Sequence, residues 1–339
     1  MNPLSYFKKL SLIFILSGLN IFIFSQKVTF EGYGATGFKF YDRDILNGYN
    51  QETFYEGKLQ AEIKYNDEIE AQLDFRGNST GSSAEFREFS VKFEYFENFT
   101  LKIGNIKRPF GYEYLINREA MHTSERNNLY NSIEELGYGG RSVSIMGYYK
   151  YSKKRPDFPY TYYVSIFKNN NLTQGISTRF VYHAGNLGYG ISYMFQDSGG
   201  DEPITANGFE ADITFEKDKF LTNIEAFYFQ DKEEGIRQRL IGGDENVYGM
   251  GAKLMTKLRF DVDGKIIKAI DPVLLFSYYL PDTDVTGTNQ IQSLVGANFY
   301  LDKKVRVSVN ADLRLTKNQY NSEYSTKESR GIIEFLVRF

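Results

Sequence analysis

Apolar and polar side chains alternate with a period of two along most of this chain. In 58–65, Leu59, Ala61, Ile63 and Tyr65 interleave with Lys58, Gln60, Glu62 and Lys64. In 305–315, Val305, Val307, Val309, Ala311, Leu313 and Leu315 interleave with Arg306, Ser308, Asn310, Asp312 and Arg314. Successive side chains of a β-strand point to opposite faces, so each such segment reads as a strand with one greasy and one wet face. The last residues repeat the pattern: Ile333, Phe335, Val337 and Phe339 share one face, and Glu334 and Arg338 share the other. An aromatic residue closing such a strand fits a terminal strand whose outer face is covered by lipid.

Alternation alone does not separate a soluble sandwich, whose apolar faces pack on each other, from a barrel that turns them towards hydrocarbon. The connections do. Strands are expected over 27–41, 52–65, 68–78, 86–96, 99–107, 141–152, 159–168, 176–184, 186–196, 207–217, 220–230, 246–259, 268–280, 290–301, 304–316 and 329–339, about sixteen in all, an even number as bacterial barrels require. Tight turns at 66–67, 97–98 and 302–303 alternate with longer polar loops at 42–51, 197–206, 231–245 and 317–328. Short periplasmic turns and long external loops are the asymmetry of a transmembrane β-barrel, and they put both chain ends on the periplasmic side. Closure is obligatory there, because an unpaired backbone amide has no partner in hydrocarbon. The fold class is therefore an all-β, antiparallel transmembrane barrel forming one domain over 26–339.

Composition agrees. Lys8 and Lys9 precede an uncharged run over 10–24, which predicts a secretory signal peptide over 1–25; the competing reading is an uncleaved anchor helix. Nothing later is apolar over the roughly 20 residues of a membrane helix. The absence of cysteine excludes disulfides and the lipid attachment of lipoproteins. With 27 Tyr and 29 Phe, aromatic residues exceed ordinary core needs, a surplus that aromatic girdles at the membrane interfaces would use; a tyrosine-rich soluble all-β protein is the alternative.

The third external loop, about 108–140, is far longer than its fellows and is expected to fold into the lumen, leaving an aqueous path rather than a packed core. It is entered through Gly104-Asn105-Ile106-Lys107-Arg108-Pro109-Phe110-Gly111-Tyr112-Glu113, continues through Ser124-Glu125-Arg126-Asn127, and ends at Gly140-Arg141-Ser142. These residues resemble the phosphate-selective porin O and P family, whose members carry Gly-x-x-Lys-x-Pro-Phe-x-x-Glu, a downstream Glu-Arg pair and an Arg opening the next strand. The matching positions are Gly104, Lys107, Pro109, Phe110, Glu113, Glu125, Arg126 and Arg141. The resemblance implies a sixteen-stranded outer-membrane channel, commonly a homotrimer, passing small ions or solutes such as phosphate.

Basic and acidic residues are nearly balanced on the polar strand faces. Charge rings set pore selectivity, so a preference has to come from the constriction. Lys107, Arg108, Arg118, Arg126 and Arg141 are the candidates for a basic constriction that draws anions. The alternative is that they pair with Glu113, Glu119, Glu125, Glu134 and Glu135 to pin the loop to the wall, and pinning is the expectation for Glu113, Glu125 and Arg126. His122 and His183 lack metal-ligand spacing. Ser124 beside His122 is a poor start for a hydrolase, and Asp261-Val262-Asp263-Gly264 lacks most of a calcium loop. The expectation is a porin with no enzymatic activity, cofactor, metal or nucleic-acid partner, meeting only outer-membrane lipid and small solutes. The rival is a non-conducting barrel that acts as a scaffold or surface-binding protein.

Overall fold

The computed structural model describes residues 27–41, 51–79, 84–169, 173–197, 205–243, 246–285, 288–318, 321–325 and 329–339. The expected signal peptide, and most of the loops expected at 42–51 and 197–206, lie outside the described residues.

The strands, in chain order, are β1 (Lys27–Tyr41), β2 (Gln51–Lys64), β3 (Ile69–Asn78), β4 (Glu85–Phe96), β5 (Phe99–Lys107), β6 (Arg141–Tyr149), β7 (Tyr160–Lys168), β8 (Gln174–Ala184) and β9 (Leu187–Asp197). They continue as β10 (Thr205–Lys217), β11 (Phe220–Gln230), β12 (Tyr248–Leu258), β13 (Phe260–Asp261), β14 (Ala269–Leu280), β15 (Gln290–Tyr300), β16 (Val305–Asn318), β17 (Asn321–Ser325) and β18 (Arg330–Arg338). Short β13 extends the line of β12 along β14, and short β17 extends that of β18 along β16, so sixteen strands make the wall. Every neighbour is antiparallel, and the ring closes where β1 pairs with β18 from Tyr33↔Arg338 to Tyr41↔Arg330. The closing residue is held too: Phe339 N–H donates to Gly32 O at 3.1 Å.

The distribution of side chains is the reverse of a water-soluble protein. Phe30, Phe38, Ile145, Ile166, Ile191, Val295 and Phe335 are exposed on the outside, while Glu88, Glu210, Glu225, Lys253, Arg306 and Glu334 are buried inside. Only hydrocarbon outside and a polar lumen inside make that arrangement stable.

The interior is not uniformly wet. Between β5 and β6 the chain forms α1 (Tyr112–Leu115), a single 3-10 turn (Arg118–Ala120) and α2 (Asn128–Glu135). Asn127 caps α2, its Oδ1 accepting Tyr130 N–H at 2.8 Å. At the other end Gly137, with φ of +88°, allows Gly137 N–H to bond Glu134 O and Tyr138 N–H to bond Ile133 O. Leu129, Tyr130 and Ile133 on α2, with Phe110 and Tyr138, pack on Phe167, Met194, Phe227, Phe229 and Tyr279 of the wall. Gly251 on β12 leaves the space that Leu129 fills. Each fully buried side chain of this cluster is worth about 2 kcal/mol against exposure to lumen water, so the segment is fastened to one side of the barrel.

Candidate functional site

The motif at 104–113 turns the chain from wall to lumen. Gly104, with φ of +145°, lies so close to Phe89 O that a Cβ has no room. Pro109 O accepts Ser177 Oγ at 2.9 Å, Phe110 is fully buried in the aromatic cluster, and Gly111 takes φ of +77°. Glu113 then meets Lys253 of β12, Nζ to Oε2 at 2.7 Å, and Lys253 also pairs with Glu225 of β11. Further along, Ser124 N–H bonds Asn310 Oδ1 at 2.9 Å, and Arg306 Nη1 donates to Met121 O at 2.6 Å. Arg118 pairs with Glu334 of β18, and Asn128 N–H bonds Gln292 Oε1 at 2.8 Å. One segment reaches β11, β12, β15, β16 and β18 in this way only by crossing the inside of the ring.

A cavity of about 330 Å³ lies between the segment and the wall formed by β1 to β6. Four of the five sequence candidates line it: Lys107, Arg118, Arg126 and Arg141. The fifth, Arg108, is not among the residues that line it. It is buried, donates to Gly139 O and lies 5.0 Å from the centre of the Phe167 ring. Burial lowers its guanidinium to about 10.

Charge pairing decides what the cavity offers a solute. Glu56 is held by Arg76 at 2.7 Å and Arg118 at 3.0 Å, Glu119 by Lys58 at 3.2 Å, and Asp74 by Lys58 at 3.8 Å and Arg141 at 3.9 Å. Arg141 also meets Glu88 at 3.2 Å. Glu125 pairs with Lys39 at 3.1 Å and with Arg330. Burial opposes its charge, yet Arg330 and Lys39 hold its carboxyl below the usual range. Glu125 and Arg126 therefore face different partners, and Glu125 joins the segment to β1 and β18.

Three cations at the cavity form no ion pair among the described residues. Arg126 donates to Glu113 O at 2.5 Å and Ile116 O at 3.0 Å and lies 5.5 Å from the Tyr114 ring centre. Lys107 Nζ donates to Ile116 O at 3.2 Å and Asn117 Oδ1 at 3.0 Å. Arg87, which parity reasoning passes over, also lines the cavity. Its place comes from an irregularity: opposite Asp74 and Phe75 the register jumps from Glu88 to Phe86, so Arg87 is the extra residue of a bulge. Among the lining carboxylates, Glu134 alone forms no ion pair within the described residues. Exposed Glu135 does not reach the cavity.

The remaining sequence candidates lie outside this cavity. Ser124 Oγ and His122 Nδ1 are both buried without a hydrogen-bond partner in the protein, so no Ser–His relay forms. His183 bonds Thr161 at 3.0 Å and stacks on Tyr151. Asp261 pairs with Lys219 at 2.9 Å, and no group of three metal-ligating side chains occurs among the described residues.

With this geometry in hand, comparison with known proteins is decisive at the family level. The family model for phosphate-selective porin O and P matches residues 32–215, more than half of the chain. The chain belongs to that family. It is thus an outer-membrane barrel of the porin type. No curated protein matches it. Among solved structures, the outer membrane channel DcaP of Acinetobacter baumannii superposes with a TM-score of 0.64 at 11% identity, covering 93% of this chain and 98% of that one. An anion-selective porin from Comamonas acidovorans gives 0.61 at 13% identity, covering 92% and 99%. OmpT of Vibrio cholerae, in a trimer form, gives 0.58 at 10% identity, covering 93% and 99%. At these identities the structures speak to the fold of this porin, and its solute has to be argued from its own residues.

Proposed function

We propose that this porin passes small solutes by diffusion through the cavity beside β1 to β6, and that it favours anions such as phosphate. The observation that carries the reading is the imbalance of unpaired charge: Arg87, Lys107 and Arg126 against Glu134. Paired charges cancel at short range, whereas unpaired cations in a narrow, low-dielectric passage focus a positive potential on whatever enters. Other lining residues are committed to holding the segment, so they set the width of the path rather than its sign. The aromatic cluster works in the same direction, because it fills part of the lumen beside β7 to β14 and narrows the way past it.

We also infer that residues 1–25 are removed as a secretory signal and that three copies assemble in the outer membrane. The test of the conduction reading is the reversal potential of single channels in a potassium chloride gradient. The wild-type protein should show anion preference, and Lys107→Gln together with Arg126→Gln should move the potential towards cations. A folded barrel that never opens in a planar bilayer would favour the scaffold reading instead. An unchanged potential in the double variant would remove the anion assignment.

A further inference from the structure

A second cavity, of about 420 Å³, lies inside the barrel at the end where strands meet in short turns. Tyr112, Leu115 and Ile116 of the luminal segment cover it, and Tyr151, Tyr163 and Val181 form its side. Its volume falls within the roughly 300–1,000 Å³ of small-molecule sites. The chemistry differs from that of the basic cavity. Arg179 and Asp212, which also line it, neutralise each other at 2.6 Å, and Glu210 takes the rest of Arg179 at 2.9 Å. The side chains of Lys153, Asn186 and Glu216 and the Tyr112 hydroxyl have no partner among the described residues. The Tyr151 ring is held in place by stacking on His183, with centroids 4.5 Å apart, and by its N–H bond to Thr161 Oγ1 at 2.9 Å.

We propose that this cavity binds a saccharide. An inorganic anion has no apolar surface to offer the three tyrosines. A purely apolar solute would displace water from Lys153 and Glu216 and return no hydrogen bond. A sugar satisfies both demands. Its C–H face lies on an aromatic ring, while its hydroxyls donate to Glu216 and Asn186 and accept from Lys153 and Tyr112. Held rings and unspent polar groups of both signs, with no net charge, suit a neutral polyhydroxylated body better than an ion. This inference rests on the porin reading only in that the lumen must be open to water.

The test is calorimetric titration of the full barrel with maltose, in an amine-oxide detergent that carries no sugar. Saturable heat is expected with the wild-type protein. Affinity should fall by about tenfold in Glu216→Gln, the loss of one hydrogen bond to a charged group, and again in Tyr151→Ala. Glu216 is exposed and unpaired, so its variant folds as the parent does. Absence of heat in the wild-type protein, or wild-type affinity retained in both variants, would overturn the proposal. Salt conductance measured on the same preparations separates the two readings: a silent channel that still binds maltose defeats the conduction reading alone, and a conducting channel without sugar binding defeats this one alone.

Discussion

Lys253 on β12, 2% exposed, joins Glu113 on the luminal segment to Glu225 on β11, with its ammonium 2.7 Å from Glu113 Oε2. The Tyr130 hydroxyl closes the group, accepting Glu113 N–H at 2.9 Å and bonding Glu225. One positive charge thus neutralises a contact between the wall and the segment that narrows the pore. Lys253→Met leaves two carboxylates facing each other in a dry site and should cost about 3–5 kcal/mol. The urea midpoint in detergent micelles reads that loss, and single-channel traces should become noisier as the segment loosens. An unchanged midpoint would show that the aromatic cluster alone holds the segment.

The wall was legible because each outward side chain meets hydrocarbon and each inward one meets water or charge. Expected and observed ends coincide for β1, β5 and β11. β6 stops at Tyr149, short of the expected 152, because Tyr151 N–H turns to Thr161. The aromatic cluster was not legible. On β11 the inward Phe227 and Phe229 alternate with outward Ala226 and Tyr228, so the two faces carry no contrast in polarity. Lys107 and Arg126 were found through the motif around them, but Arg87 was hidden by a bulge that shifts parity by one. Partner choice was hidden as well: Glu125 reaches Lys39 and Arg330, far away in sequence, and only closure of the ring brings them together.

Arg87 and Arg118 separate selectivity from stability. Arg87 forms no ion pair among the described residues, so Arg87→Gln should shift the reversal potential towards cations and leave the unfolding stability within about 0.5 kcal/mol of the parent. Arg118 holds Glu56 at 3.0 Å and Glu334, which is wholly buried, so Arg118→Gln should lower the midpoint clearly. If the Arg87 variant lost stability and kept its selectivity, the roles assigned to the two arginines would be reversed.

His122 gives a pH dependence with a defined sign. Burial, reinforced by Lys257, Arg306 and Lys253, lowers its imidazole to about 3, whereas an unfolded histidine titrates near about 6.5. Between those values the unfolded chain takes up a proton that the folded barrel refuses, so stability falls as pH drops from about 6.5, by up to about 1.4 kcal/mol per pH unit. Above that range His122 contributes no slope. Urea midpoints measured from pH 7 to pH 4 should decline less steeply in His122→Asn than in the wild-type protein. Parallel declines would mean that His122 is protonated in the folded barrel.

Gly34, Gly57 and Gly77 stand side by side across β1, β2 and β3, paired in register as Gly34↔Gly57 and Gly57↔Gly77. None has a positive φ, and a Cβ would meet nothing within 4 Å at Gly34 and nothing nearer than 3.7 Å at Gly57. Glycine inside a strand costs roughly 0.5–1 kcal/mol relative to alanine, and local geometry here demands none of it. Close approach of another backbone is a physical return for that cost, which makes this strip of the outer face the expected contact between copies in the trimer proposed above. Gly57→Phe fits the isolated barrel, so β-structure and single-barrel stability should persist. Native gel electrophoresis and light scattering in detergent should then show trimers for the wild-type protein and monomers for the variant. Trimers that survive the substitution would move the contact to another face of the wall.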